Sequence, residues 1–503
     1  MDLIAQVAHG FSVALTPVNL LYCFIGVFIG TLVGVLPGIG PISAMSLLLP
    51  VTLSGTPESG IIMMAGIYYG SMYGGSTTSI LVNIPGEATS VVTCLDGHEM
   101  AKQGRAGPAL GIAAFGSFIA GSIAVLGLMV VAPSLARFAV AFGPAEMFSL
   151  MALGLVIVTF LTQGSMLKSL LMASAGVVLG LVGLDSITAQ PRLTFNRIEL
   201  YDGIGLVPVV MGLFGVSEVL SNIEQGVRRT ISNTNIRNLL PNKEDWQRSA
   251  GPIGRGTLLG FFLGIIPGGG AVIASFASYA LEKRVSKTPE RFGKGAIEGV
   301  AGPEAANNSA AGGAFIPLLT LGIPPNVVMA LLLGAFIIHN IQPGPLLMVQ
   351  RPDLFWGVIT SMYIGNVMLL VLNLPLIGMW VQLLRLPYNI LFPLILLFTV
   401  VGVFASSNNV FDLYVMIAFG IFGYLTRKLG YEAAPLVLAF VLGSIMENKL
   451  RTALIISAGD LTTFVTRPIS AVCLAIAAVL LLMPLIPALR RKREQVALED
   501  GQN

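Results

Sequence analysis

Two polar stretches interrupt an otherwise apolar chain. "YGGSTTSILVNIPGE" (73–87) and "NNSAAGGAFIPLLTLGIPPN" (307–326) each carry paired glycines, a hydroxyl-bearing apolar run and, further on, Ile-Pro. The first offers Ser76, Thr77, Thr78, Ser79 and Asn83; the second offers Asn307, Asn308, Ser309 and Thr320, then Pro324. These are neutral donors and acceptors, with no nucleophile set beside a base. They suit a small anion or a coordinated cation: hydroxyls and free helix-terminal N–H groups stabilise carboxylate oxygens, and backbone carbonyls coordinate Na⁺. The plainer use of the same residues is structural, with hydroxyls bonding their own helix and asparagines joining helices.

Ionisable residues near apolar segments are costly and therefore suspect: Glu87, Asp96, Glu146, Glu218, Glu298, Glu304, Glu432 and Glu447. Glu304, in "GPEAANNSAAGG", stands beside the second polar stretch and is the candidate ionisable ligand for a coupling cation or proton, alongside Asn307, Asn308, Ser309 and Thr320. Glu298 and Glu304 also follow a basic loop, which makes an interfacial position the competing reading. His9, His98 and His339 are isolated, and Cys23, Cys94 and Cys473 lack metal spacing, so no metal beyond a coupling Na⁺ and no cofactor is expected. A phosphate loop, His-Glu-x-x-His and Gly-x-Ser-x-Gly are all missing from the sequence. The pair "YD" (201–202) and "SAGD" (457–460) faintly resembles the paired aspartates of intramembrane aspartyl proteases, although Ser457 stands where that family has Gly.

The elements that must position these groups announce themselves by repetition. "GVFIGTLVGVLPGIG" (26–40) returns as "GTLLGFFLGIIPGGG" (256–270), with Gly26, Gly30, Gly34, Pro37, Gly38 and Gly40 matched by Gly256, Gly260, Gly264, Pro267, Gly268 and Gly270. The Gly-x-x-x-Gly steps let a helix pack closely on a neighbour. Pro-Gly then frees backbone groups that lipid cannot satisfy, so such a break is tolerated only where it is buried in protein or lines a wet cavity. Gly38, Gly40, Gly268, Gly269 and Gly270 thereby join Ser76, Thr77, Thr78, Asn83 and Pro324 as candidate substrate contacts.

With 55% hydrophobic and only 11% charged residues, the chain reads as an all-α polytopic membrane protein, since soluble domains average about 25% charged. No Lys or Arg precedes Lys102, whereas the second copy is flanked by Arg228, Arg229, Arg237, Lys243 and Arg248 and by Lys283, Arg284, Lys287, Arg291 and Lys294. Basic residues mark cytoplasmic loops. The first copy is thus expected to enter and return from the outside and the second from the cytoplasm, giving two inverted repeats, each with a re-entrant or broken Gly/Pro hairpin, and about 11 spans. The expected division is 1–222 for the first repeat, 223–255 for a basic cytoplasmic linker and 256–503 for the second repeat, whose "RRKR" tail (490–493) stays cytoplasmic. Asp2 and the lack of an early basic region argue against a cleaved signal peptide. "CLDGHEMAKQGRAG" (94–107) reads as a cytoplasmic turn made by Asp96 and Gly97.

Four motifs, "GTLVGVLPGIGP", "YGGSTTSILVNIPGEATSVVTCLDGHEMAKQGRAGPALG", "GIIPGGG" and "GVAGPEAANNSAAGGAFIPLLTLGIPPN", resemble the large membrane subunit of bacterial tripartite tricarboxylate transporters. The resemblance extends over nearly the whole chain, with Pro-Glu-Ala-Ala-Asn-Asn its most specific part; Pro324-Pro325 departs from the Pro-Gly expected there. It implies a secondary transporter of the bacterial cytoplasmic (inner) membrane. Such a protein works with a small membrane subunit and a periplasmic solute-binding protein, and imports a di- or tricarboxylate with Na⁺ or H⁺. Lipid is the remaining partner, and nucleic acid is not one. An ion or anion channel is the alternative, since channels also accept broken helices.

Overall fold

The computed structural model describes residues 3–36, 40–161, 165–185, 187–225, 239–266, 270–383 and 388–483. In chain order the helices are α1 (Leu3–Ala14), α2 (Pro17–Val35), α3 (Gly40–Leu48), α4 (Pro57–Val82), α5 (Val91–Lys102), α6 (Ala106–Ala139), α7 (Pro144–Leu161) and α8 (Met166–Gly180). Next come α9 (Leu206–Val210), α10 (Ser217–Gln225), α11 (Lys243–Ile265), α12 (Gly270–Val285), α13 (Glu298–Gly313), α14 (Phe315–Leu321), α15 (Val327–Ile338) and α16 (Leu347–Gln350). The last are α17 (Pro352–Asn373), α18 (Ile377–Leu383), α19 (Tyr388–Ser407), α20 (Val410–Lys428), α21 (Ala434–Ile456), α22 (Thr463–Thr466) and α23 (Pro468–Leu482). A two-residue antiparallel pair, β1 (Gly183–Leu184) with β2 (Pro191–Arg192), is the sheet among the described residues.

The all-α membrane class holds. By length and composition α2, α6, α17 and α20 can each cross a bilayer, and several shorter apolar helices accompany them. On α20 the apolar Ile417, Ile421 and Leu425 are exposed at helical spacing, a face that suits lipid rather than water.

Contacts divide the chain into two units, one of residues 1–139 with 205–429 and one of residues 140–204 with 430–503. Within the second unit, α7 packs on α21 and α23, and α8 on α21. There the Arg192 guanidinium bonds both Glu447 oxygens at 2.7 and 3.1 Å, and Arg451 bonds Asp185 at 2.6 Å. The N–H groups of Thr188 and Ile187, together with Arg451, hold the Asp185 carboxyl well below the usual carboxylate range.

The first unit contains both glycine segments, and each builds the same local structure. α2 lies on α4, where a side chain at Gly26, Gly30 or Gly34 would run into the backbone of Met63, Ile67 and Ser71. α11 lies on α13, where Gly256, Gly260 and Gly264 face the carbonyls of Gly302, Ala306 and Ala310 in the same way. Even a hydroxyl keeps the pattern: Gly70 abuts the Val27 carbonyl, and at the matching place Ser309 donates to the Thr257 carbonyl at 2.7 Å. The downstream breaks match as well. α4 ends on Asn83 (φ 57°) and α14 on Gly322 (φ 72°), both left-handed. Four residues later Glu87 (φ −152°, ψ 170°) and Asn326 (φ −150°, ψ 173°) start the next helical segments as N-caps. Pro325 stands where the first copy has Gly86, and the turn keeps its form.

Two readings change. Asp96 and Gly97 lie inside α5, and the turn falls at Gln103 and Gly104 (φ 77°). The fully buried Asp96 carboxylate is held by the N–H groups of Gly295 and Ala296 at 2.8 Å each and by the Tyr279 hydroxyl at 2.9 Å, so tertiary bonds override the Asp-Gly turn preference. Likewise, α11 begins at Lys243, inside the stretch assigned to the linker, because Asn242 and Asp245 form a reciprocal capping box there. Residues 226–238 of that linker, and the basic tail, lie outside the described residues.

Candidate functional site

α4 brings Ser76, Thr77 and Thr78 into the interior, and α13 brings Glu304, Asn307, Asn308 and Ser309. α4 starts cleanly because Thr56 caps it, Pro57 occupies its first turn and Glu58 complements its positive end. α13 is poor in side-chain bulk, "EGVAGPEAANNSAAGG", so neighbouring helices approach its backbone and its few polar groups meet protein.

The two stretches converge at Glu304, which has no exposed surface. Ser76 donates to Glu304 Oε2 at 2.6 Å, Thr93 of α5 donates to Oε1, and the Asn307 amide approaches Oε2 at 3.5 Å. Among the described residues no Lys or Arg pairs with this carboxyl, whereas Asp245 pairs with Arg105, Glu282 pairs with Arg255 at 2.6 Å, and the equally buried Asp96, also without a cation, takes two backbone N–H groups and a hydroxyl. A bare charge in such a place is expensive, so its balance has to come from a proton or a bound cation.

Around this centre, Asn308 bonds Ser117 of α6 at 2.7 Å, and Asn326 bonds the Tyr68 hydroxyl at 3.3 Å, tying each copy to the other. Glu87 caps its own segment through the Thr89 N–H at 2.9 Å. A small cavity with about 10 Å³ open to the centre of a water molecule adjoins Ser76. Tyr73, Ser76, Thr77, Leu110, Ala113, Ala114, Ser117 and Asn373 line it.

The remaining candidates serve the scaffold or lie elsewhere. Thr78 donates to the Val35 carbonyl at 2.8 Å and Thr320 to Ile316 at 2.7 Å, while Ser309 ties α13 to α11. Asn83 is exposed, and Pro324 is buried within the second break. Gly40 opens α3 with φ 66°, and Gly270 opens α12. Gly38, Gly268 and Gly269 lie outside the described residues. Thr93, Ser117, Asn366 and Asn373 are site residues that the sequence did not disclose, because each reaches the site from a helix distant in sequence and stands in no motif that marks it. Asp202 and Asp460 are both exposed loop residues, and the Asp460 carboxylate accepts from the Thr462 N–H and hydroxyl at 2.8 and 2.7 Å.

The chain is 52% identical over 500 residues, 99% of its length and 100% of the relative's, to an uncharacterized 52.8 kDa protein in the TAR-I ttuC' 3' region of Agrobacterium vitis. It is 56% identical over 241 residues, 48% of its length, to an uncharacterized protein in the TAR-II ttuC' 3' region of the same organism. No solved structure matches it. Residues 20–438 match the tripartite tricarboxylate transporter TctA family, and with that match over both glycine segments and the Glu304 centre the chain belongs to this family.

Proposed function

We propose that this chain is a secondary active transporter that imports a small di- or tricarboxylate with Na⁺ or H⁺. It works in a bacterial cytoplasmic membrane beside a small membrane subunit and takes its substrate from a periplasmic solute-binding protein. The family supports the transport class and the three-component assembly. The coupling rests on one observation: Glu304, buried and bonded by Ser76 and Thr93 from the other copy, has no basic partner among the described residues. The asymmetry of basic residues about the two glycine segments supports an inverted arrangement, with substrate contacts near the breaks at Asn83 and Pro324.

Charge arithmetic sets the direction. Each negative charge moved inward against an inside-negative potential costs about 2.3 kcal/mol per 100 mV. Half-helix N-termini offset only about half a charge each. At least as many cations as substrate charges must therefore accompany uptake if the membrane potential is not to oppose it. The test is uptake of a panel of carboxylates into vesicles of controlled orientation supplied with the small subunit and the binding protein. Saturable uptake that stops when the cation gradient collapses fits the transporter, and current through an open pore down any gradient would point to the channel instead.

A further inference from the structure

We infer that the cavity between α4, α6 and α17 is the seat of the coupling ion, a single monovalent cation of sodium's size held by Ser76, Thr77, Ser117 and Asn373; this rests on the cation-coupled reading of the chain and gives it a place. The oxygen-bearing side chains that line the cavity carry the assignment. Asn373 is 4% exposed and donates its Nδ2 to the Leu369 carbonyl at 2.9 Å, which fixes the amide and leaves Oδ1 without a hydrogen-bond partner in the protein. Tyr73 donates its hydroxyl proton to Asn366 Oδ1 at 3.2 Å, and Ser76 donates to Glu304 at 2.6 Å, with the Met72 carbonyl a second acceptor at 3.1 Å, so both lining hydroxyl oxygens are acceptors for an occupant. Ser117 and Thr77 add hydroxyl oxygens.

Hard oxygen ligands without nitrogen or sulfur select a hard cation. The space, about 10 Å³ for a water's centre, admits one occupant of that size and no carboxylate substrate. Asn373 is the last residue of the 22-residue helix α17, whose C-terminal end carries partial negative charge. The Glu304 carboxyl is a single hydrogen bond away through Ser76, and a monovalent ion balances its charge. A water molecule could bond the same oxygens, and Glu304 would then have to carry its own proton; the Na⁺ dependence separates the two occupants.

The experiment uses the purified full chain in detergent without substrate, titrated with NaCl against choline chloride at constant ionic strength, with thermal unfolding as readout. Wild type should gain stability saturably with Na⁺ and much less with K⁺. Asn373→Ala and the near-isosteric Thr77→Val should each raise the half-saturating Na⁺ concentration about 10- to 100-fold. Asn373→Asp, which adds charge without adding size, should lower it. A wild type indifferent to Na⁺, or variants that keep its half-saturation, would overturn the site; should Asn373→Ala fail to fold, Thr77→Val and Asn373→Asp decide. If carboxylate uptake by wild type persists on a proton gradient alone, the site falls and the transport reading stands, whereas no gradient-driven uptake at all would remove both.

Discussion

The two glycine segments, each with the helix and break downstream of it, are one backbone written twice with different side chains. Placing Asn83 on Gly322 also places Glu87 on Asn326, Gly70 on Ser309 and the α2–α4 approach on that of α11 and α13. The same alignment sets Glu304 against Ala65, Asn307 against Tyr68 and Asn308 against Tyr69. The scaffold is therefore duplicated and the charge is not: the second copy supplies the carboxylate, and the first surrounds it with hydroxyls from Ser76 and Thr93. Close backbone packing tolerates little change of volume, while the polar groups it holds are free to diverge once each has a partner.

The largest effects should come from the shared packing. Gly30→Val and Gly260→Val each drive a branched side chain into the backbone of Ile67 or Ala306. Each should cost about 3 kcal/mol or more and sharply lower the yield of folded protein, as read by size-exclusion profiles in detergent. Equal damage in both copies sustains the equivalence, and a harmless substitution in either one breaks it.

Next in size is the residue at which the copies differ most. Glu304→Gln keeps the bonding shape and removes the charge, and should abolish the cation dependence of uptake with folded yield near wild type. Glu87→Gln retains an acceptor for the Thr89 N–H and should leave much of that dependence intact. Uptake kinetics against Na⁺ and pH separate the two variants.

The breaks predict a graded pair. Asn83→Ala should cost about 1 kcal/mol for the left-handed backbone alone. Gly322→Ala should cost more, because its side chain would also approach the Pro343 carbonyl at 2.5 Å; thermal unfolding of the two variants gives the order. Asn326→Ala, which loses the cap on the Met329 N–H at 2.9 Å, belongs near 1 kcal/mol as well.

The least effect lies outside both copies. Because the Asp185 carboxyl is held below its unfolded value, its contribution is fully present above about pH 4 and is lost as pH falls through the folded value. Asp185→Asn should remove that acid-range slope from the unfolding midpoint and leave neutral-pH uptake unchanged.

Much of this comparison was legible in the sequence, since the four-residue glycine spacing names an interface and Pro-Gly names a break. Asp96 misled because Asp-Gly favours a turn locally, and nothing nearby in sequence announces the Gly295 and Ala296 N–H groups that hold it in a helix. The second unit was equally hidden: residues 140–204 and 430–503 meet through helix packing and through ion pairs, Arg192 with Glu447 and Arg451 with Asp185, whose partners lie more than two hundred residues apart. Glu304 was visible as an acid beside amides, but Thr93, Ser117 and Asn373 became site residues only when distant helices converged.

The most direct measurement tracks uptake of one accepted carboxylate into vesicles holding the full assembly, wild type and Glu304→Gln side by side, with Na⁺ replaced by choline and the proton gradient dissipated in turn. Wild-type uptake should collapse under one of these two treatments, and the variant should show no response to either. Wild-type uptake that continues unchanged with Na⁺ absent and the proton gradient dissipated, or a variant that keeps the wild-type cation profile, would contradict cation coupling at Glu304.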